Sequence, residues 1–460
     1  MPSSFSLRAR FARLATAHAA NPARLRAAFV VALALVVVGM SAKYAAKVSK
    51  PGDDGRLTRS AFLRWRAMIH DVFAGANVYV GANEYPNPPV MAVILKPFAD
   101  LPPLVGALAW FYAKVLMAAL AAIWVFRLVG GEKRRDDDVL TPSPLHTFTP
   151  SPPVPEAAKA FAVVLALPPL LGDLSHNNVN IFILFLVAGC LEAYRRKWDA
   201  TAGLVLALAI ACKVTPLMFV AYFAWKRAWA VLAACTVGLG VWLAVVPGAV
   251  YGWDRNAELL QSWYDLMVRP ALVENRVTSE HPNQSIPGVV FRLLTASPSF
   301  VVYPDNVPTA AAFHNLADIG PANARWVVKG CLAAFGLLIV GLCRGPRGER
   351  QGWRVAAECS LIVLGMLLFS ERTWKHHAVT LLLPFTVIAY AVFALDLSVR
   401  VKRLLVGILV AVGLLTNIPG VLAPHAADLA MVYGSYTVAF LLLTVGVGTL
   451  LAVPSVAAQR

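Results

Sequence analysis

An all-α polytopic membrane protein is the fold class this sequence predicts, and three observations predict it. Of 460 residues, 58% are apolar and 14% are charged, against about 25% charged in an ordinary soluble domain. The apolar residues gather into about twelve runs, most near the ~17–25 residues that a helix needs to cross a bilayer. Every second connection between runs is basic, the pattern of loops that alternate across a membrane. Disorder is excluded, because disordered chains lack this apolar content. The net charge of +16 falls in short clusters between apolar runs. No basic stripe interleaved with aromatics occurs, so nucleic acid is not an expected partner.

The spans follow in order. Arg8, Arg10, Arg13, Arg24 and Arg26 precede the first run, with no acid among them. They predict a cytoplasmic N-terminus over 1–26 and a first span, 27–45, that runs outward. A cleavable leader is the other reading of such a start, but no small-residue cleavage site stands out before Lys43 and Lys47. Spans are then predicted at 104–128, 157–173 and 178–194. Two short ones, 201–213 and 215–225, are separated where Pro216 breaks the helix. The rest are 229–249, 325–343, 355–370, 377–397, 403–420 and 433–453, so the transmembrane domain covers 27–453 and leaves a cytoplasmic tail, 454–460. Basic clusters at Lys133–Arg135, Arg195–Lys197, Lys226–Arg227, Arg344–Arg354 and Arg400–Arg403 all land inside; one miscounted span would put some of them outside. The Pro-, Ser- and Thr-rich stretch 141–155 predicts a flexible cytoplasmic linker. Two long external loops remain, 46–103 and 250–324. No repeat of 20–50 residues is visible.

The six cysteines lie in or at the ends of apolar runs, without metal-ligand spacing, and read as small apolar packers. Conspicuous polar residues fall on the outer side: Asp53 and Asp54; Asn83 to Pro89, with Glu84, Tyr85 and Asn87; Asp173, His176, Asn177, Asn178 and Asn180; Lys213 and Thr215; Glu280, His281, Asn283, Gln284 and Ser285; and Glu371, Arg372, Trp374, Lys375, His376 and His377. Polar residues at membrane depth are costly and often functional, so these distant groups predict one composite outward-facing site.

Each group also has a purely structural reading. Asp53-Asp54 follows Pro51-Gly52 and could be a solvated turn. The prolines from Pro86 to Pro89 could simply stiffen re-entry into the membrane. Lys213 could snorkel to the interface, although a cation beside a broken helix also suits a phosphate. His376-His377 could be an interfacial pair beside Trp374; neighbours on a helix point about 100° apart, which disfavours a shared metal. The amphipathic segment Arg59–Arg66 could lie on anionic headgroups, or Arg64 and Arg66 could fork onto a phosphate. Asn283-Gln284-Ser285 also matches the N-glycosylation pattern.

Ordered motifs resemble glycosyltransferase family 87, polytopic enzymes of the GT-C type that use polyprenol-phosphate mannose. They are Gly75-Ala76-Asn77-Val78-Tyr79; Tyr85-Pro86-Asn87-Pro88-Pro89 with Lys96-Pro97-Phe98; Asn177-Asn178-Val179-Asn180; Lys213-Val214-Thr215-Pro216; Asn283-Gln284-Ser285-Ile286 before Arg292; and Trp374-Lys375-His376-His377. The resemblance implies a GT-C fold in the cell membrane and an inverting transfer of a hexose at the outer face. Its donor would be a polyprenyl-phosphate sugar, its acceptor a lipid or glycan hydroxyl, and its surroundings membrane lipids. No metal or cofactor is implied. A carboxylate soon after the first span would be the base, Asp54 first and Asp53 second, with Asp71 or Glu84 in reserve. This sequence departs from the family there, since both aspartates sit in Pro51-Gly52-Asp53-Asp54-Gly55. Lys213, His376, His377 and Arg64 or Arg66 would meet the phosphate, with Thr215, Trp374, Asn180, Asn283, Gln284, Tyr85 and Asn87 around the substrates. A transporter or flippase of a lipid-linked or anionic solute is the alternative, as is an inactive homologue. A flippase predicts polar residues near the midplane and related halves.

Overall fold

The computed structural model describes residues 22–49, 60–81, 85–131, 152–302, 304, 308–421 and 423–453. Asp53, Asp54, Asn83 and Glu84 lie outside the described residues, as do Lys133–Arg135 and most of the predicted linker.

The chain is helical nearly throughout. The long runs give α1 (Pro22–Val48), then α4 (Pro103–Gly130) after two shorter helices, α2 (Ala61–Phe73) and α3 (Pro89–Ala99). There follow α5 (Glu156–His176), α6 (Asn180–Arg195), α7 (Asp199–Cys212) and α8 (Met218–Trp225). Helix α9 (Trp229–Gly240) continues through a π turn into α10 (Val246–Tyr251). The second long connection holds α11 (Trp253–Trp263), α12 (Arg269–Leu272), α13 (Ile286–Leu294) and a hairpin of β1 (Phe300–Val302) with β2 (Thr309–Ala312). The hairpin is antiparallel, with Val301 opposite Ala310. The last helices are α14 (Gly320–Leu342), α15 (Trp353–Leu368), a 3-10 turn Lys375–Leu381 leading into α16 (Leu382–Ala394), α17 (Val399–Val421), α18 (Pro424–Val432) and α19 (Ser435–Ala452).

The predicted class holds. Among the described residues, seven helices are long and apolar enough to cross a membrane: α1, α4, α5, α9–α10, α14, the 3-10 turn with α16, and α19. Their burial sorts them into layers. The most apolar window of Lys375–Ala394 is 78% buried and that of α19 61%, so these form the centre of the bundle. The corresponding windows of α14 and α9–α10 are only 6% and 17% buried, so these helices turn their apolar faces outward, as a lipid-facing helix does. The segment Arg59–Arg66 becomes the start of α2, capped by Ser60, whose side chain accepts from Leu63 N. Phe62, Trp65 and Ile69 bury the inner face of α2 while Arg64 stays exposed.

Lipid tails are as apolar as leucine, so helices in a bilayer associate where small residues let backbones approach. The pair α7 and α9 does this reciprocally. A Cβ on Gly203 would stand 2.3 Å from Val231 O and 2.6 Å from Ala234 Cβ, and one on Gly238 would stand 2.7 Å from Ala207 Cβ. Gly203 and Ala207 thus face Ala234 and Gly238, each pair four residues apart. Gly203→Ala should therefore destabilise the protein by about 1–3 kcal/mol, read as a lower melting temperature in detergent. Gly330→Ala, where no atom stands within 4 Å, should not; equal melting of the two variants would remove the packing argument.

Hydrogen bonds define the two ends of the bundle. At one end Lys47 Nζ donates to Ser175 O, and Asn177 donates to Tyr44 and Ala107 O. At the other, Gly352 N donates to Leu128 O, Arg350 pairs with Asp199, and Arg354 reaches Val453 O. Of the residues predicted to form a site, Asn180, Lys213, Thr215 and His377 line one cavity at the first end, with His376 beside them.

Candidate functional site

Four chain segments build the site. Helix α5 carries two internal prolines, Pro168 and Pro169, and ends at Asn177, whose left-handed backbone (φ 52°) stops the helix. Asparagine tolerates that conformation better than most residues. Asp173, in the last turn, is fully buried. It accepts from Lys114 Nζ at 3.1 Å, from Asn180 Nδ2 at 2.9 Å, and from the backbone N–H groups of Asn180 and Ile181 at 3.3 and 3.4 Å. The carboxylate thus serves the N-terminus of α6, where unpaired N–H groups and the helix dipole favour a negative charge.

Lys213 takes an extended backbone that closes α7 before the 3-10 turn Thr215–Leu217. Its ammonium donates to Asn180 Oδ1 at 2.8 Å. A chain of contacts therefore runs from Lys114 through Asp173 and Asn180 to Lys213, drawn from α4, α5, α6 and the α7–α8 turn. His376 and His377 open the 3-10 turn after Trp374. The ring of His376 lies 5.0 Å from that of His176, centroid to centroid, and its Nε2 is 3.4 Å from Asn178 Nδ2. Trp374 lies nearly parallel to His377 at 6.5 Å.

One small cavity joins these parts, lined by Asn180, Lys213, Thr215, Ser370, Thr373 and His377, among others. Positive charge surrounds it. Lys47, Arg64 and Lys375 act on His176, and Lys213 and Lys375 on His376. Lys114 already meets the charge of Asp173. Glu371, between the lining residues Ser370 and Thr373, is half-buried; burial raises its carboxyl pKa against the pull of Arg372. Among the described residues, no group of three His, Cys, Asp or Glu stands together as a metal site.

The other predicted residues divide. Arg64 reaches the His176 end electrostatically. Arg66 donates to Leu101 O at 3.3 Å, away from the cavity. Tyr85 is buried with its ring against Trp65 and Tyr79, beside the buried Asn87. Asn283 and Gln284 spend their amides on the protein: Asn283 on Thr278 O, Glu371 O, Ser285 N and Thr373 N, and Gln284 on His281 O, Met431 O and Tyr436 N. Both are fully buried, so they tie the second long connection to the 371–373 segment and to α18–α19, and Asn283 is shielded from glycosylation. Arg292, also buried, donates to five backbone carbonyls: Ser279, Glu280, Asn283, Met431 and Val432. Burial lowers its pKa to about 10; it remains charged at neutral pH.

Lys114 was missed at the sequence level. Its signal was present, as the one charged residue between Pro103 and Val125, but a lysine can snorkel out of a long span. Only the fold shows it turned inward onto Asp173.

Against this geometry, the chain matches known proteins. The profile of glycosyltransferase family 87 matches residues 85–371, more than half of the chain. Asp173, Asn180, Lys213 and Arg292 fall inside that stretch, while Asp53, Asp54 and Trp374 to His377 fall outside it. The polyprenol-phosphate-mannose-dependent alpha-(1-2)-phosphatidylinositol mannoside mannosyltransferase of Mycolicibacterium smegmatis is 26% identical over 306 residues, which cover 64% of this chain and 59% of that protein. The chain thus matches less than two thirds of that relative's length. Among solved structures, apo ArnT from Cupriavidus metallidurans aligns with a TM-score of 0.41 and 14% identity, over 93% of this chain and 77% of that one.

Proposed function

The chain belongs to glycosyltransferase family 87, and from that premise we propose that it is a GT-C enzyme moving a hexose, mannose first, from a polyprenyl-phosphate sugar to a lipid or glycan hydroxyl at the outer face of the cell membrane. The acceptor oxygen attacks the anomeric carbon from the face opposite the phosphate. The bond from that carbon to the phosphate oxygen breaks, and the configuration inverts. The hydroxyl proton passes to a carboxylate, assigned to Asp54 with Asp53 second. The leaving phosphate gains a full negative charge as the bond breaks. Lys213, His376, His377 and Arg64 are assigned to that charge, because fixed cations and donors act most strongly where charge develops. Asn180 and Thr215 orient them, and Trp374 offers a ring face to the sugar.

The observation that carries this reading is the convergence of Lys213, Asn180 and His377 on one cavity at one end of the bundle, with His376 and Trp374 beside it. A flippase would want its polar groups near the midplane. The test is to incubate purified protein with polyprenyl-phosphate sugars and a membrane lipid extract. A glycosylated product from a polyprenyl-phosphate hexose is expected. Turnover with nucleotide sugars alone would overturn the reading.

A further inference from the structure

We propose that the end of the bundle opposite Lys213 carries a binding site for the phosphate headgroup of an anionic phospholipid. A cavity of about 430 Å³ lies there between the α8–α9 turn and the 343–347 loop, and Trp225, Arg227, Trp229, Arg344 and Arg347 line it with Lys226. The chain's course fixes its place: α8 runs back from the Lys213 turn, and α15 begins at Trp353, after this loop, and brings its last turn, Met366 and Leu367, to the first cavity.

The walls are built rather than incidental. Arg227 takes the left-handed backbone of a capped helix C-terminus, φ 55°, with Ala228 N donating back to Phe223 O, and so turns α8 into α9. Trp225 Nε1 donates to Cys343 O at 2.8 Å and Lys226 Nζ to Gly345 O at 2.9 Å, which pins the loop. Lys226 is also paired with the buried Glu358 at 2.6 Å, and Glu358 accepts from Gly345 N. The charge of Lys226 is thus already met.

Arg227, Arg344 and Arg347 differ from Lys226. All three are exposed, and among the described residues none has a side-chain hydrogen bond or ion pair. Three guanidinium groups around one cavity at a membrane surface repel one another unless an anion sits between them. Their planar forks match phosphate oxygens, and basic pockets between transmembrane helices are a recurrent form of headgroup site.

The flanks favour a lipid over a free anion. Trp229 is 62% exposed, in the amphipathic position that tryptophan takes at headgroup level. Beyond the cavity run the outward faces of α9 and α14, where Val237 and Leu337 are 64% and 73% exposed, a surface on which acyl chains would lie. Retention of positive loops by charge alone would need the arginines but no cavity.

The test uses the full chain in bilayer nanodiscs of phosphatidylcholine with or without phosphatidylglycerol, with bound lipid counted by native mass spectrometry. Phosphatidylglycerol should be retained over phosphatidylcholine and should raise the melting temperature. Arg227→Gln with Arg344→Gln and Arg347→Gln should weaken that preference about a hundredfold, and Arg347→Gln alone, on an exposed loop, about fivefold. A matched triple, Arg400→Gln with Lys402→Gln and Arg403→Gln, should leave it intact. Equal retention by wild type and the Arg227 triple, equal loss in both triples, or the same stabilisation by inorganic phosphate in detergent would each overturn the proposal. Should the triple not fold, the Arg347→Gln result alone decides.

Discussion

Lys213→Ala should lower turnover about a hundredfold, and Asp54→Ala should abolish transfer while leaving the donor bound. The two variants separate the ends of the reaction. The donor's phosphodiester carries one negative charge, and the departing phosphate carries nearly two in the transition state. A cation at Lys213 therefore holds the transition state more tightly than the ground state, and its loss falls on kcat more than on KM. On the proposed assignment Asp54 takes only the acceptor's proton, so its removal should stop chemistry without touching the lipid phosphate. His377→Ala should lower turnover less than Lys213→Ala, because an imidazole placed beside the ammonium adds a hydrogen bond to a charge that Lys213 already meets. Donor binding and single-turnover rates of the three variants check this. Wild-type rates in Asp54→Ala would remove that carboxylate from the mechanism. Unchanged kinetics in both Lys213→Ala and His377→Ala would remove the phosphate assignment.

The helices were legible because membrane insertion is governed by composition over ~20 residues. The predicted run 229–249 is α9–α10, and 433–453 is α19, within two residues at each end. The site was legible in part. Lys213, His376, His377 and Asn180 were marked by the cost of polar groups beside apolar runs, and the fold brings them together. The same rule also marked Asn283 and Gln284, and it does not distinguish an amide that awaits a ligand from one that ties loops together. What separates them is three-dimensional: every polar atom of those two amides meets a backbone partner from another segment. Arg292 belongs to the same class, a buried cation held by carbonyl dipoles rather than by an acid. Lys114 was hidden for the converse reason. A single lysine deep in a 28-residue helix has two ways to satisfy its charge, and sequence does not choose between snorkelling and a partner from a helix 59 positions away.

That choice makes the Lys114–Asp173 pair a contact with large expected consequences. Both side chains are fully buried, so Lys114→Met should leave a carboxylate with no cation at membrane depth and cost about 3–5 kcal/mol of stability. Asp173→Asn should strand the ammonium and cost a similar amount. The double variant, Lys114→Met with Asp173→Asn, should be less destabilised than the sum of the two, because neither charge is then left alone. Asp173 has a second duty that Lys114 lacks: it accepts from Asn180 and from the first N–H groups of α6. Asn180 in turn holds Lys213. In Asp173→Asn, therefore, the remaining turnover should fall further than in Lys114→Met, even where the two melt alike. The pair of measurements is a melting temperature in detergent and a rate on the folded fraction. Additive losses in the double variant would show that the two charges do not support each other. Equal residual rates in the single variants would break the proposed link from α5 through Asn180 to Lys213, and the cation would then owe its position to α7 alone.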